Sequence, residues 1–371
     1  MKKILIVHNF YTQKGGEDTV VSNEISFFSE KYQVENLNFY NNLNPIGFFN
    51  LALSFCNPLS IFKLINKIIK FKPDIIYFHN LWFTASSILL IIPRLFKITS
   101  VVKLHNYRTS CLSDLHLRNN KICTECSKGS FKSAFIYGCY KNSKFLTLLK
   151  YLHVKLFKII SKNFTDKIIL LTNFHKDLLK LNTFPQEKLV VISNYSKVNV
   201  SIKSNKQEKK DFLFVGRLHE SKGIDRLLNY WISSPNLKSK HLQIVGEGNL
   251  DLEKYSNHNN LTFYNQMDRE KLFTFIQNSK ALIFPSIWFE GRPMVIQEAI
   301  NLKTIVISSN LGGILESFEE NYPFTFDPYT FDNFDTLIDT VDNLSQNNLI
   351  YNYNFHKSKV KKEMFTLFDQ L

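Results

Sequence analysis

Along the chain, short apolar runs alternate with longer stretches in which apolar residues recur every three or four positions. The runs Ile4–Val7, Val34–Phe39, Ile75–Phe78, Ser100–Leu104, Lys167–Leu171 and Leu189–Ile192 predict strands. Amphipathic stretches between them, such as Asp18–Ser29 and Leu59–Lys70, predict helices. The polar segment Ser196–Lys210 (SKVNVSIKSNKQEKK) carries no sustained period and reads as a linker. Beyond it a second series begins: Phe212–Val215, Leu242–Val245, Leu261–Tyr264, Ala281–Phe284 and Thr304–Ile307. Strand–helix alternation on both sides of a linker predicts an α/β protein of two doubly wound domains. Their expected bounds are 1–195 and 211–350, joined by 196–210, with 351–371 as a C-terminal helix packing back on the first domain.

A chain of 371 residues is long enough for two such cores, and 44% hydrophobic with 21% charged residues is a globular composition. The charge is uneven. Residues 1–200 hold 27 Lys and Arg against 11 Asp and Glu, whereas 201–371 hold 19 against 21. A one-sided positive field implies an anionic partner: a phospholipid surface, a diphosphate-linked substrate or nucleic acid. No zinc-finger, helix-turn-helix or RNP pattern supports nucleic acid, and the phosphate-type motifs are of small-molecule size. The opening MKKILIVHNF loses its apolar run at His8, too soon for a signal-peptide core. Phe48–Phe55 and Ile88–Ile92 are too short to span a bilayer. A cytoplasmic protein is expected, peripheral on the inner face of the plasma membrane. The segment Lys144–Phe164 mixes Leu, Phe and Ile with Lys144, Lys150, Lys155, Lys158 and Lys162. It reads either as a helix lying on anionic lipid or as a core helix with lysines on its wet face.

Ligands of doubly wound sheets bind beyond the carboxyl ends of the strands, so motifs there carry most weight. Strand Phe212–Val215 runs into GRLHESKGID, where Gly216 permits a sharp turn and Arg217 and Lys222 bring two cations to the start of a helix. Cations beside free helix N–H groups suit a diphosphate. Gly246 and Gly248 flank Glu247 at the next strand end, a weaker turn signal. Strand Ala281–Phe284 leads into PSIWFEGRPMVIQEAI. Glu290 then lies in the loop, Pro293 in the first helical turn, and Glu298 one to two turns into the helix on an apolar face. Separated in this way, the two carboxylates suit two hydroxyl groups of one elongated ligand, with N–H groups around Gly291, Arg292, Pro293, Met294 and Val295 near a phosphate between them. An acid–base pair acting on one bond does not fit that spacing. In the first domain, Gly15 and Gly16 precede a helix, His105 ends a strand in VVKLHNYR, and His79 ends another in YFHNLWF. Cys111, Cys123, Cys126 and Cys139 cluster within an insertion at about 106–142, while Cys56 stands apart. One CxxC with two single cysteines fits either a structural zinc site with four thiolates or reduced, unliganded thiols.

In order and spacing, ISNYS, FVGRLHESKGIDRLL, IVGEGNL and ALIFPSIWFEGRPMVIQEA resemble the signatures of retaining family-4 glycosyltransferases, above all in the E-x7-E pair Glu290 and Glu298. The resemblance is strongest over 211–316. It implies the GT-B architecture, two Rossmann-like domains facing a central cleft. It implies that Glu298 binds the ribose hydroxyls of a UDP- or GDP-sugar, Glu290 contacts the sugar, and Arg217 and Lys222 neutralise the diphosphate. By the same resemblance the backbone at Gln266 and Met267 reads the base, the Gly15–Gly16 turn faces the diphosphate or an anionic acceptor, and His105 approaches the sugar from the acceptor side. No catalytic cofactor is implied. The acceptor class is a glycan or polyprenyl-diphosphate-linked glycan of capsule, O-antigen or exopolysaccharide synthesis. A sugar-nucleotide 2-epimerase of the same fold is the alternative enzyme. Many members read Glu-Gly-Phe-Gly where this chain has Glu290-Gly291-Arg292-Pro293.

Overall fold

The computed structural model describes residues 1–11, 15–41, 55–82, 84–180, 184–198, 209–344 and 357–371. Most of the apolar segment at 48–55, most of the predicted linker and residues 345–350 of the predicted second domain lie outside these. The chain divides into two compact units. The first comprises Met1–His116, Cys123–Tyr195 and Lys357–Leu371, and the second Leu117–Ile122 and Ser196–His356.

The first unit is built on a six-stranded sheet in the order β2-β1-β3-β4-β7-β8. Its strands are β1 (Lys3–Phe10), β2 (Gln33–Tyr40), β3 (Ile75–Phe78), β4 (Thr99–Lys103), β7 (Lys167–Leu170) and β8 (Leu189–Val191), every pairing parallel. All four residues of β3 are buried, as expected of a parallel strand covered by helices on both faces. The helix Pro58–Phe71 shows how local chemistry sets an element. Asn57 caps it by accepting from the Leu59 and Ser60 N–H groups, Pro58 fills the first position, and Lys72 ends it in the left-handed region. The C-terminal helix Lys357–Gln370 belongs to this unit, with Phe368 against Phe28 and the Asp369 carboxylate accepting from the Tyr32 hydroxyl at 2.8 Å.

The second unit repeats the plan in the order β11-β10-β9-β12-β13-β14. Here β9 is Phe212–Val215, β10 Leu242–Val245, β11 Leu261–Tyr264, β12 Ala281–Phe284, β13 Ile305–Ser309 and β14 Thr325–Phe326, again all parallel. Its core gathers Phe212, Trp231, Ile283 and Phe334 among others. β9 lies between β10 and β12, so the chain leaves its end at the point where strand order reverses, the usual ligand position in such sheets. The antiparallel pair β5 (Leu117–Arg118) and β6 (Lys121–Ile122) groups with this unit. Asn119 and Asn120 between them both have positive φ, as a two-residue primed turn requires.

The structure corrects one sequence expectation here. In the helix Lys144–Phe164, Lys150 is not on a wet face: it is fully buried, 3.1 Å from Asp114 Oδ2 and 4.2 Å from the centre of the Trp82 ring. Burial, followed by the Arg108 charge, pushes its ammonium down to about 7. The exposed stripe of that helix carries Phe145, Leu148, Leu152 and Ile159 together with Lys144 and Lys155. Among the described residues no helix is long and apolar enough to cross a membrane.

Candidate functional site

In the second unit, the loops leaving β9 and β12 come together. Gly223 has φ +69°, and a Cβ there would lie 1.9 Å from the Pro285 carbonyl oxygen. The Ile287 N–H donates to the Ser221 carbonyl at 3.1 Å, closing the same contact. Only glycine serves where backbone meets backbone so closely and φ is left-handed. The Gly246-Glu247-Gly248 segment is likewise more than a turn. Cβ atoms at Gly246 and Gly248 would strike the Gly216 and Leu218 carbonyls, so the segments leaving β9 and β10 run side by side in direct backbone contact.

The Gly223–Pro285 approach and the Ile287–Ser221 hydrogen bond set Lys222 against the β12 loop. Its Nζ is 2.6 Å from Glu290 Oε1, which also accepts from Ser286 Oγ at 2.9 Å and Trp288 Nε1 at 2.7 Å. Glu290 is thus a buried carboxylate in a fixed position, with donors converging on one oxygen. Three residues on, Pro293 caps the helix Met294–Asn301 rather than entering it, since its extended ψ of 127° places it just outside. The N–H groups of the first turn, at Met294 and Val295, follow directly from Gly291 and Arg292 in the loop. Glu298 lies deeper in that helix, 5% exposed. Burial raises its pKa, and the paired Arg269 guanidinium acts in the opposite direction. Arg269 begins the helix Arg269–Asn278 and was not singled out from the sequence. In NQMDREKL Asp268 caps the helix and leaves Arg269 in its first turn, a local pattern that does not announce the Glu298 contact. Gln266 is exposed, Met267 half-buried, and the Gln266 N–H donates to Glu247 Oε1 at 3.3 Å. Arg217 is exposed beside the same loops.

The first unit carries a pocket at the ends of β3 and β4. His79, Trp82, His105 and Arg108 line it, with Glu17 from the helix Gly16–Phe28. His79 Nδ1 and His105 Nε2 are 2.9 Å apart, so the two strand-end histidines form one unit. Arg108 is held by Asn80 Oδ1 and the Tyr11 hydroxyl, both at 3.1 Å, and by Asp114. Gly15 caps the helix in an extended conformation, with its N–H donating to Asp18 Oδ2 at 2.9 Å, and a Cβ there would meet open space. Gly15 and Gly16 are exposed and form the entry to that helix.

The four cysteines share one neighbourhood. The Cys126 thiol is pushed up to about 12 by burial first, then by Cys111, Cys139 and Cys123. Burial also raises Cys111, whose Sγ lies 3.2 Å from Ser113 Oγ. Among the described residues no three His, Cys, Asp or Glu side chains are arranged to hold a metal ion, so this arrangement does not fit the four-thiolate zinc site.

Residues 197–356 match the sequence model of a family described as Glycosyl transferases group 1. An uncharacterised 41.2 kDa protein in the cps region of Klebsiella pneumoniae is 29% identical over 146 residues, 36% of this chain and 39% of that one. An uncharacterised glycosyltransferase of Haemophilus influenzae is 27% identical over 216 residues, 56% of this chain and 59% of its own. The chain therefore spans about two to three fifths of the curated relatives it matches. In fold it is similar over the full length of both chains to Anabaena HepE, solved in complex with UDP and glucose, at a TM-score of 0.68 and 15% identity. The chain has the GT-B fold, and the match to Glycosyl transferases group 1 lies in its second unit.

Proposed function

We propose that the chain is a retaining glycosyltransferase that moves a sugar from a UDP- or GDP-sugar to a glycan or polyprenyl-diphosphate-linked glycan of surface-polysaccharide synthesis. The observation that carries this reading is the Lys222–Glu290 pair, set where the β9 and β12 loops meet and just before the helix that bears Glu298. In this reading Glu298 takes the ribose hydroxyls and Glu290 those of the sugar. Lys222, Arg217 and the first-turn N–H groups take the diphosphate. Arg292 adds a cation where the commoner pattern has none. The acceptor hydroxyl oxygen bonds to the anomeric carbon as that carbon's bond to the diphosphate oxygen breaks. The departing phosphate oxygen receives the hydroxyl proton, giving glycosylated acceptor and nucleoside diphosphate. The lysine and arginine stabilise the charge that develops on the leaving group, the principal catalytic contribution in a site of this kind. A cps-region relative and a neighbour solved with UDP support the pathway class and the donor class.

The test is an assay of nucleoside diphosphate release with UDP- and GDP-sugars and lipid-linked acceptor extracts, with NMR of the product's anomeric configuration. Acceptor-dependent release with the donor's configuration kept is expected. Isomerised nucleotide sugar formed without acceptor would replace this reading with an epimerase.

The same proposal places the enzyme on an anionic membrane through the helix Lys144–Phe164. Its exposed Phe145, Leu148, Leu152 and Ile159 lie on one stripe with Lys155, and Lys144 is exposed at its start. Apolar side chains with lysines among them suit the headgroup boundary. Sedimentation with phosphatidylglycerol vesicles at low salt, weakened at high salt and lost in a Phe145→Ser/Leu152→Ser double variant, is expected. Equal sedimentation of that variant would remove the helix from the interface.

A further inference from the structure

The hairpin of β5 and β6 is too short to hold itself, since an isolated pair of such strands is marginal in water. Its contacts within the second unit hold it. The turn carries Asn120, whose Nδ2 donates to Glu220 Oε1 and whose carbonyl accepts from Arg226 Nη2 at 3.4 Å. The Arg226 guanidinium lies over the Tyr329 ring, 5.1 Å from its centre. Tyr329 follows β14, with its N–H donating to Asp327 Oδ1 at 2.7 Å and its hydroxyl donating to the Ile287 carbonyl at 2.8 Å. Burial raises that phenol, while a backbone hydrogen bond from Ile122, in β6, and the Arg226 charge act in the opposite direction.

These contacts reach both loops of the proposed donor site. Glu220 opens the short helical turn Glu220–Lys222. Ile287 stands between Ser286 and Trp288, and both of those neighbours donate to Glu290 Oε1. Ser221 ties the two loops to each other, its carbonyl accepting from the Ile287 N–H at 3.1 Å and from Ser286 Oγ at 3.3 Å. A tie at one carbonyl sets how close the loops come but lets each turn about that point. The grips on Glu220 and on the Ile287 carbonyl act on either side of it and stop the rotation. Lys222 Nζ and Glu290 Oε1, 2.6 Å apart, sit where such a rotation would be felt most. Reacting groups displaced by about 1 Å lose on the order of 100-fold in rate.

We infer that the β5–β6 hairpin braces the Lys222 and Glu290 loops through the Asn120–Glu220 contact and the Arg226–Tyr329 bridge, so that Asn120 and Tyr329 are positioning residues for the transfer. They act through Lys222 and Glu290 rather than on the substrate. A hairpin that only covered the surface would add stability and leave kcat alone. The brace does the reverse, because Glu220 is exposed and one exposed polar contact contributes little to stability.

This inference rests on the transferase reading for its kinetic consequences, whereas the order it imposes on the loops is independent of the reaction. The test joins steady-state kinetics to amide hydrogen exchange of the full chain. In Asn120→Asp two carboxylates face each other and the grip on Glu220 opens. The double variant Asn120→Asp/Glu220→Gln puts the amide on the opposite side and restores the contact. Tyr329→Phe releases the Ile287 carbonyl. Faster exchange over 217–224 and 285–292 is expected in Asn120→Asp and in Tyr329→Phe, with a melting temperature close to that of the wild type. In both, kcat falls about tenfold, the worth of one hydrogen bond, while donor KM stays within about twofold. The double variant regains exchange protection and kcat together. In a Lys222→Ala chain Tyr329→Phe costs little more, since it acts through the lysine already lost. Wild-type kcat in Asn120→Asp and Tyr329→Phe, or a double variant no better than Asn120→Asp, overturns the brace. The expected exchange pattern in a protein that transfers no sugar upholds the brace and defeats the transferase reading.

Discussion

Replacing Glu298 with glutamine raises the melting temperature of the ligand-free protein at neutral pH and removes the further rise that a UDP- or GDP-sugar produces. Burial raises the Glu298 pKa more than the Arg269 charge lowers it. A carboxyl whose folded pKa lies above its unfolded one contributes stability below the unfolded value and loses it as pH rises through the folded value. At neutral pH the stability that the buried neutral carboxyl contributes at low pH is diminished, and glutamine, neutral at every pH, keeps it. Arg269 is 43% exposed and stays solvated without its partner, so its loss of an ion pair offsets little. The gain should shrink as pH falls toward about 4, where the native side chain is itself neutral. Donor binding moves the other way. Two ribose hydroxyls donating to a charged acceptor contribute roughly 1.5–3 kcal/mol each, so affinity should fall about 100-fold or more. Differential scanning fluorimetry of both proteins across this pH range, with and without donor, measures both effects. A donor-induced rise of equal size in the variant would remove Glu298 from the ribose.

Such a residue was legible in the sequence because its neighbours are apolar at helical spacing. Val295, Ile296, Ala299 and Ile300 placed Glu298 on a face turned inward, where a carboxylate needs a reason. Its partner Arg269 was not legible, because a first-turn arginine followed by Glu270 and Lys271 looks like any solvated helix start. The strands of both sheets were readable for a related reason. Parallel strands covered on both faces are short continuous apolar runs, and the structure places strands at every predicted run with small shifts at their ends. β14 escaped notice because it spans only Thr325–Phe326.

Polar groups that meet through the fold were the least readable. Glu24, Lys103, His79 and His105 come from a helix and two strand ends, and no spacing along the chain announces their contact. The same holds for Lys150. Its place in a lysine-rich amphipathic helix suggested a wet face, but Asp114 and the Trp82 and Tyr140 rings offered a charge and two π faces that keep a buried ammonium. The Asn119–Asn120 turn differs, since asparagine tolerates the positive φ that both residues adopt and the turn is local in sequence. Local chemistry can be read one element at a time, whereas charge pairing needs the register between elements.

Lys222→Ala is expected to lower kcat about 100- to 1,000-fold, the usual cost of losing one preorganised donor to developing charge. Donor KM should move much less, because several groups hold the ground-state diphosphate whereas the lysine acts on charge that grows as the bond breaks. The variant also uncovers Glu290. Without Lys222, its Oε1 keeps Ser286 Oγ and Trp288 Nε1, two neutral donors, and its charge then repels the leaving group. Glu290→Gln in the same chain separates two roles. Were Glu290 only a counter-charge, the double variant would recover much of the kcat lost by Lys222→Ala. As a ligand of the sugar, it gives a double variant no better than the single one, with a non-additive coupling of about 1–3 kcal/mol between residues in contact. Steady-state kinetics of the wild type, the two single variants and the double variant decide between them. Strictly additive losses would show that the 2.6 Å pair does not act as one device in the reaction.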